Sequence, residues 1–97
     1  MAKLREGNMA DLTGVAAGAA INIKDLETVY VQIAGTFVGT VKTQVSYDLG
    51  VTWVDFHSDT APGIVGPLPP AGRVRTNCTA FTSGTILSRY GGNERAL

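Results

Sequence analysis

The stretch TVKTQVSYDLGVTWVDF, residues 40–56, carries the strongest local structural signal in this sequence. Before the central glycine, two rows of side chains alternate, with Val41, Thr43, Val45 and Tyr47 in one row and Lys42, Gln44 and Ser46 in the other. A period of two places one row against a core and the other against solvent. After the glycine, residues 51–56 are again rich in β-branched and aromatic side chains. The stretch therefore predicts a β-hairpin.

The turn of this hairpin is SYDLGVTW, residues 46–53. We expect Asp48 and Leu49 at the centre of a type I turn, followed by Gly50 in the left-handed conformation that closes a three-residue loop with a bulge. Asp48 can accept hydrogen bonds from backbone amides two residues on, and Trp53 adds a large apolar area to the sheet. Asp48, Gly50 and Trp53 are thus predicted to have structural roles in the turn.

The same eight residues resemble the Asp-box, a Ser-x-Asp-x-Gly-x-Thr-Trp motif of sialidase-like β-propellers. One propeller blade takes roughly 40–45 residues, and a chain of 97 residues is too short for the complete fold. A sugar site with Trp53 or Tyr47 as its stacking platform is the functional alternative. Such a site needs an exposed aromatic row, whereas one Trp, three Tyr and three Phe must also build the core. The turn interpretation is therefore favoured.

Period-two patterns also lie on both sides of the hairpin and predict further strands at residues 19–24, 28–34, 73–81 and 85–90. Glycine, proline and β-branched residues recur too often along the chain for a stable helix. The sequence thus predicts an all-β fold, a small antiparallel β-sandwich of about six to seven strands with an extended N-terminal arm. A partly open barrel is the alternative.

The chain divides into three predicted regions. Residues 1–14 show no strong periodicity and are expected to form the N-terminal arm. Residues 15–90 form the β-sandwich domain, and residues 91–97 a flexible tail. Within the domain, HSDTAPGIVGPLPPAG, residues 57–72, contains all four prolines of the chain and predicts a long, stiff loop.

Composition limits the partners that the protein can attract. Charged residues make up only 16% of the chain, and eight basic side chains balance eight acidic ones. A neutral, charge-poor surface offers little attraction to nucleic acid or anionic lipid and little repulsion between copies. We therefore expect no nucleic-acid or membrane partner, and either self-association or docking onto a larger protein.

The sequence offers no catalytic or metal-binding constellation that we would assign. Cys78 is the only cysteine, which excludes an internal disulfide framework, and we expect it to be a small buried hydrophobe. His57 is the only histidine, and Asp48, Asp55 and Asp59 have no second histidine or glutamate at ligand spacing. The prediction is a protein that is not an enzyme and uses no cofactor or metal.

Taken as a whole, the chain is similar to small structural proteins of tailed bacteriophages. Four stretches carry the resemblance in this order: LTGVAAGAAINI (12–23), VYVQIAGTFVGTVKTQVSYDLGVTWVDF (29–56), PGIVGPLPPAG (62–72) and RVRTNCTAFTSGTILSRY (73–90). The resemblance implies a non-enzymatic virion component. Among such components it favours a capsid decoration or cement protein, which binds the major capsid protein and stabilises the head. A tail or baseplate subunit and a carbohydrate-binding β-sandwich module are the alternatives.

The resemblance also implies a location on the capsid surface, synthesis in the host cytoplasm and a homo-oligomer, by family expectation a trimer. We expect residues 1–20 and 57–72 to make the contacts, because extended segments can cover a neighbouring surface or add a strand to it. Arg73 and Arg75 project from one strand face and are expected to form inter-subunit salt bridges or a solvated face. The predicted contact residues are Leu4, Met9, Leu12, Ile64, Val65, Leu68, Arg73 and Arg75.

Overall fold

Two antiparallel sheets packed face to face make up the computed structural model, which describes residues 3–94. Its strands are β1 (Leu4–Leu12), β2 (Ala16–Ala17), β3 (Ile21–Asn22), β4 (Leu26–Ala34), β5 (Phe37–Ser46), β6 (Val54–Asp59), β7 (Gly63–Val65), β8 (Arg73–Gly84) and β9 (Ile86–Glu94). The first sheet has the order β1-β9-β4-β7, and the second has β2-β8-β5-β6 with β3 also paired to β8. No helix occurs between residues 3 and 94, so the predicted all-β sandwich is confirmed.

The predicted hairpin is the centre of the second sheet. β5 pairs with β6 on one side and with β8 on the other, both antiparallel. Val41, Thr43 and Val45 point into the core as the alternation predicts, and each is at most 3% exposed. The second strand begins at Val54 rather than at residue 51, because the connecting loop is longer than predicted.

The core lies between the inner faces of the two sheets. In β8, Val74, Thr76 and Cys78 are completely buried, which confirms the inward row and the buried cysteine. Beyond Cys78 the pairing with β5 shifts by one residue, so that Phe81 packs against the core while Ala80 is exposed. A bulge of this kind reverses which side chains face inward, and simple alternation does not anticipate it.

The first residues of the chain are part of the sandwich, which corrects the predicted arm. Leu4–Leu12 forms β1 and pairs with β9 along its length, with a register shift between Asn8 and Ala10. The shift breaks the period of two, so Met9 and Leu12 are both buried although they are three positions apart. Residues 1 and 2 of the predicted arm lie outside the described residues.

The predicted tail is also wrong over the residues that the structure describes. Gly91–Glu94 is the end of β9, where it pairs with both β1 and β4. Glycines are poor strand formers, and their presence concealed this strand in the sequence. The rest of the predicted tail, residues 95–97, lies outside the described residues.

The proline-rich loop is shorter than predicted. His57–Asp59 belongs to β6, and Gly63–Val65 is a short strand, β7, that pairs with Val31–Ile33 of β4. Of the strand predicted at residues 19–24, only Ile21–Asn22 is a strand, β3; it pairs with β8, as does the short β2 that precedes it.

Candidate functional site

A hydrogen-bonded network fixes the loop between β5 and β6, residues 47–53. The Ser46 hydroxyl donates to Asp48 Oδ1 at 2.8 Å and accepts from the backbone amide of Gly50 at 2.9 Å. Asp48 Oδ1 also accepts from the backbone amide of Thr52 at 2.8 Å. These donors, with the Thr52 amide first among them, lower the pKa of the Asp48 carboxyl. The Asp48 carboxylate thus bonds within the turn, to an amide four residues on rather than two, because the Gly50 amide donates to Ser46 instead.

Two consecutive residues of this loop have left-handed backbone conformations. Gly50 has φ of 89°, as predicted, and Leu49 has φ of 63°, which was not predicted. A bulky L-residue in this region is a conformational outlier that costs about 1–2 kcal/mol. Strain of this kind persists only where surrounding contacts impose it, and it is concentrated at functional positions. Here the network around Ser46 and Asp48 is that constraint.

The loop presents three apolar side chains to solvent, and we call Tyr47, Leu49 and Val51 the hairpin tip. Their exposed fractions are 64%, 79% and 82%. Scattered single hydrophobic residues are normal on a protein surface, whereas a group on one rigid loop indicates an interaction site. The sequence favoured a structural role for this loop, with a sugar site at Trp53 or Tyr47 as the alternative. The signal that could have identified the tip is its spacing, with apolar residues at alternate positions 47, 49 and 51 of a turn.

A chain of polar side chains crosses the outer face of the second sheet beside this loop. The Arg75 guanidinium lies 4.4 Å from the centroid of the Trp53 ring, and its Nε donates to Gln44 Oε1 at 2.8 Å. Gln44 Nε2 then donates to Asp55 Oδ1 at 2.7 Å, and Lys42 Nζ approaches Asp55 Oδ2 at 3.0 Å. The Gln44 amide, followed by Lys42, lowers the pKa of Asp55. Trp53 thus has one ring face covered by Arg75, which leaves less of the ring for the suggested sugar platform.

The two arginines of β8 act separately. Arg75 belongs to the polar chain just described, whereas Arg73 Nη1 donates to the backbone carbonyl of Gly72 at 3.1 Å. Within residues 3–94 neither arginine forms an ion pair. The expectation of an inter-subunit salt bridge stays a prediction.

The structure separates the other predicted contact residues into two groups. Met9, Leu12, Val65 and Leu68 are at most 8% exposed, so their side chains pack in the core. Leu4 and Ile64 are 65% and 66% exposed and lie on β1 and β7, the two edge strands of the first sheet. Each of these two side chains therefore remains available to a partner.

The acidic side chains near His57 do not form one cluster. Asp48 is held in the turn and Asp55 in the polar chain, while His57 Nε2 lies 3.3 Å from Asp59 Oδ1. Across residues 3–94, no three His, Cys, Asp or Glu side chains are grouped so that they could hold a metal ion. The described part of the chain also contains no helix of the length and apolarity that crossing a membrane requires.

A second surface feature lies on the outer face of the first sheet. It is a hollow of about 580 Å³ over β1, β9, β4 and β7 that includes Glu6, Tyr30, Gln32, Arg89 and Gly91 in its lining. Sequence reasoning missed it, because it assigned β1 to an arm and the end of β9 to a tail. REGN, residues 5–8, is polar apart from Gly7, so it contains no alternation that would have indicated a strand.

The chain was compared with protein-family models, with curated proteins and with solved structures, and none of them matches it. Its function is therefore inferred from the contacts, exposure and charge of its own residues.

Proposed function

We propose that this protein is a non-enzymatic capsid decoration protein of a tailed bacteriophage, which binds the major capsid protein and stabilises the head. The observation that carries the proposal is the hairpin tip, three exposed apolar side chains on a loop fixed by hydrogen bonds. Fixing the loop before binding reduces the conformational entropy that is lost when the complex forms. A rigid apolar protrusion suits insertion into a pocket of a partner protein.

The exposed fractions allow an estimate of what docking contributes. Full burial of one large aliphatic side chain contributes about 1.5–3 kcal/mol. Leu49 and Val51, at 79% and 82% exposed, retain most of that contribution for a partner. Docking also needs no opposite charge on the capsid, because the only charged side chain of loop 47–53 is Asp48, whose carboxylate is already hydrogen-bonded within the loop.

The neutral net charge of the chain is compatible with many copies side by side on one particle. With eight basic and eight acidic side chains, neighbouring copies repel each other only weakly. Decoration proteins of this kind are often trimers by family expectation, and light scattering of the purified protein would measure the oligomeric state.

The test is binding of the purified protein to undecorated heads of its own phage. We expect saturation at a fixed stoichiometry and a higher melting temperature of the head. The double variant Leu49→Asp with Val51→Asp should lose binding while it remains folded. Val38→Asp is the matched control, because Val38 is 59% exposed and lies at the opposite end of β5 from the tip. Absence of binding by the native protein would overturn the proposal, and binding to tails alone would favour a tail or baseplate subunit.

A further inference from the structure

Two hollows on the outer face of the first sheet meet at Tyr30 and Gly91. The larger has a volume of about 580 Å³ and the smaller, which also includes Leu4 and Thr28, about 310 Å³. Tyr30 is 42% exposed and lines both hollows. Small-molecule sites usually measure roughly 300–1,000 Å³. The two hollows together therefore have room for a ligand of more than one ring.

The fold does not require a glycine at position 91. A Cβ atom at this position would meet its nearest neighbours, the Arg5 carbonyl oxygen and Glu6 Cγ, at 3.8 Å, an ordinary van der Waals distance. Its φ also lies outside the left-handed region, unlike that of Gly35 or Gly84. Glycine weakens a strand interior, and it often marks a place where a ligand approaches the backbone closely. Gly91 leaves the floor of both hollows without a side chain.

The backbone of β4 is distorted next to Tyr30. Thr28 has φ of 52°, and the pairing with β9 shifts between Glu27 and Tyr30. A β-branched residue with positive φ is a genuine outlier, and such strain is concentrated at binding sites. The shift places Tyr30 directly opposite Gly91. The exposed ring of Tyr30 thus lies beside Gly91, where the backbone carries no side chain.

The polar side chains of the larger hollow have hydrogen-bonding capacity to spare. Asn8 and Gln32 lie on either side of Arg89 in the sheet, and Glu6 lies opposite Gly91. Within residues 3–94, the side chains of Glu6, Asn8 and Gln32 make no hydrogen bond, whereas Arg89 Nη1 donates to Asp11 at 2.9 Å. Amides and a carboxylate supply several donors and acceptors for hydroxyl groups. One acidic and one basic side chain in the lining favour an uncharged ligand.

We propose that this face binds a neutral oligosaccharide. One sugar ring stacks on Tyr30 above Gly91, and its hydroxyl groups bond to Glu6, Asn8 and Gln32. An aromatic face suits the apolar side of a sugar ring, while the surrounding planar polar groups select its hydroxyls. The hairpin tip belongs to the second sheet, so a sugar-binding surface on the first sheet is independent of the proposed capsid contact.

The first experiment uses the full chain on an array of neutral oligosaccharides of glucose, galactose, mannose or N-acetylglucosamine, beside sialylated and sulfated glycans. We expect binding to one neutral series. Calorimetry with the hexasaccharide of that series should then show roughly tenfold weaker binding for Tyr30→Ala and nearly native binding for Tyr30→Phe.

Gly91→Val gives the sharper test, because it separates binding from stability. The variant should melt at or above the native temperature, since valine favours strands, and it should lose hexasaccharide binding because its side chain fills the floor. Gly63→Val is the matched control, since a Cβ there meets nothing within 4 Å and Gly63 lines neither hollow.

Three results would overturn the proposal: no neutral glycan bound by the folded native protein, selective binding of the acidic glycans, or unchanged binding by Gly91→Val. Head binding by Gly91→Val should remain native, so failure of the sugar site and failure of the capsid proposal are distinguishable.

Discussion

The Ser88 hydroxyl donates a 2.9 Å hydrogen bond to the Thr76 hydroxyl, and both residues are completely buried. Ser88 lies on β9 of the first sheet and Thr76 on β8 of the second. The bond therefore crosses the core and joins the two sheets, in a position where each hydroxyl would otherwise lack a partner.

Ser88→Ala should lower the free energy of unfolding by about 1–3 kcal/mol, because it leaves a buried hydroxyl without its partner. Adding Thr76→Val should recover part of this loss, since both polar groups are then replaced by apolar ones. Urea denaturation of the two single variants and the double variant measures the coupling. Ser83→Ala, at an exposed position of β8, is the control and should stay within about 0.5 kcal/mol of the native protein. Equal effects of Ser88→Ala and Ser83→Ala would contradict the assigned role.

Arg75→Ala should expose the ring of Trp53 and shift its fluorescence to longer wavelength. Trp53 is the only tryptophan, so the emission reports this one contact. Loss of the cation–π contact and of the packing of the arginine stem should lower stability by about 1 kcal/mol. Arg73→Ala is the control, because within residues 3–94 the Arg73 side chain bonds only to the neighbouring Gly72 carbonyl. A spectrum of Arg75→Ala that matches the native one would show that the guanidinium does not cover the ring in solution.

The lowered pKa of Asp48 predicts a contribution to stability that depends on pH. The folded protein binds a proton at this carboxyl more weakly than the unfolded chain does, so the contribution is present above the unfolded pKa. It is lost as the pH falls through the folded pKa. The stability difference between the native protein and Asp48→Asn should therefore be largest near neutral pH and should shrink below about pH 4.

Urea denaturation of both proteins between about pH 7 and pH 2 measures this difference, and NMR titration of the Asp48 carboxyl checks its pKa. A difference that is independent of pH would contradict the assignment of the effect to this carboxylate.

Local sequence patterns predicted the elements that local interactions specify. The alternation in residues 40–47 located β5, and the left-handed Gly50 follows from the requirements of a tight turn. β1 and the end of β9, residues 91–94, carry no comparable signal, because they are stabilised by pairing with each other across more than 70 positions. Arg5 Nε and Nη2 both donate to Glu94 Oε2, at 3.2 and 2.7 Å, and this ion pair joins residues 89 positions apart. No short stretch of the sequence shows that these two residues pair.

The candidate sites were also hard to predict, because they depend on contacts between distant parts of the sequence. The hairpin tip was visible as a turn, but the exposure of Leu49 follows from a left-handed conformation that the network around Asp48 imposes. The hollow at Gly91 depends on the register of three strands, and a shift of one residue would turn Tyr30 into the core. Sequence patterns predict which segments are strands better than they predict which positions of two strands are neighbours.

Leu49→Asn tests whether the strained leucine at the tip serves binding at the expense of stability. Asparagine tolerates the left-handed conformation better than leucine does, and Leu49 is 79% exposed, so little packing is lost. The free energy of unfolding should therefore rise by about 0.5–1 kcal/mol, while binding to undecorated heads becomes weaker. Leu49→Ala is the control, because alanine keeps the conformational strain and should lose binding without gaining stability. A loss of stability in Leu49→Asn would instead mean that the leucine side chain packs on its own domain, and the tip would then no longer support a docking role.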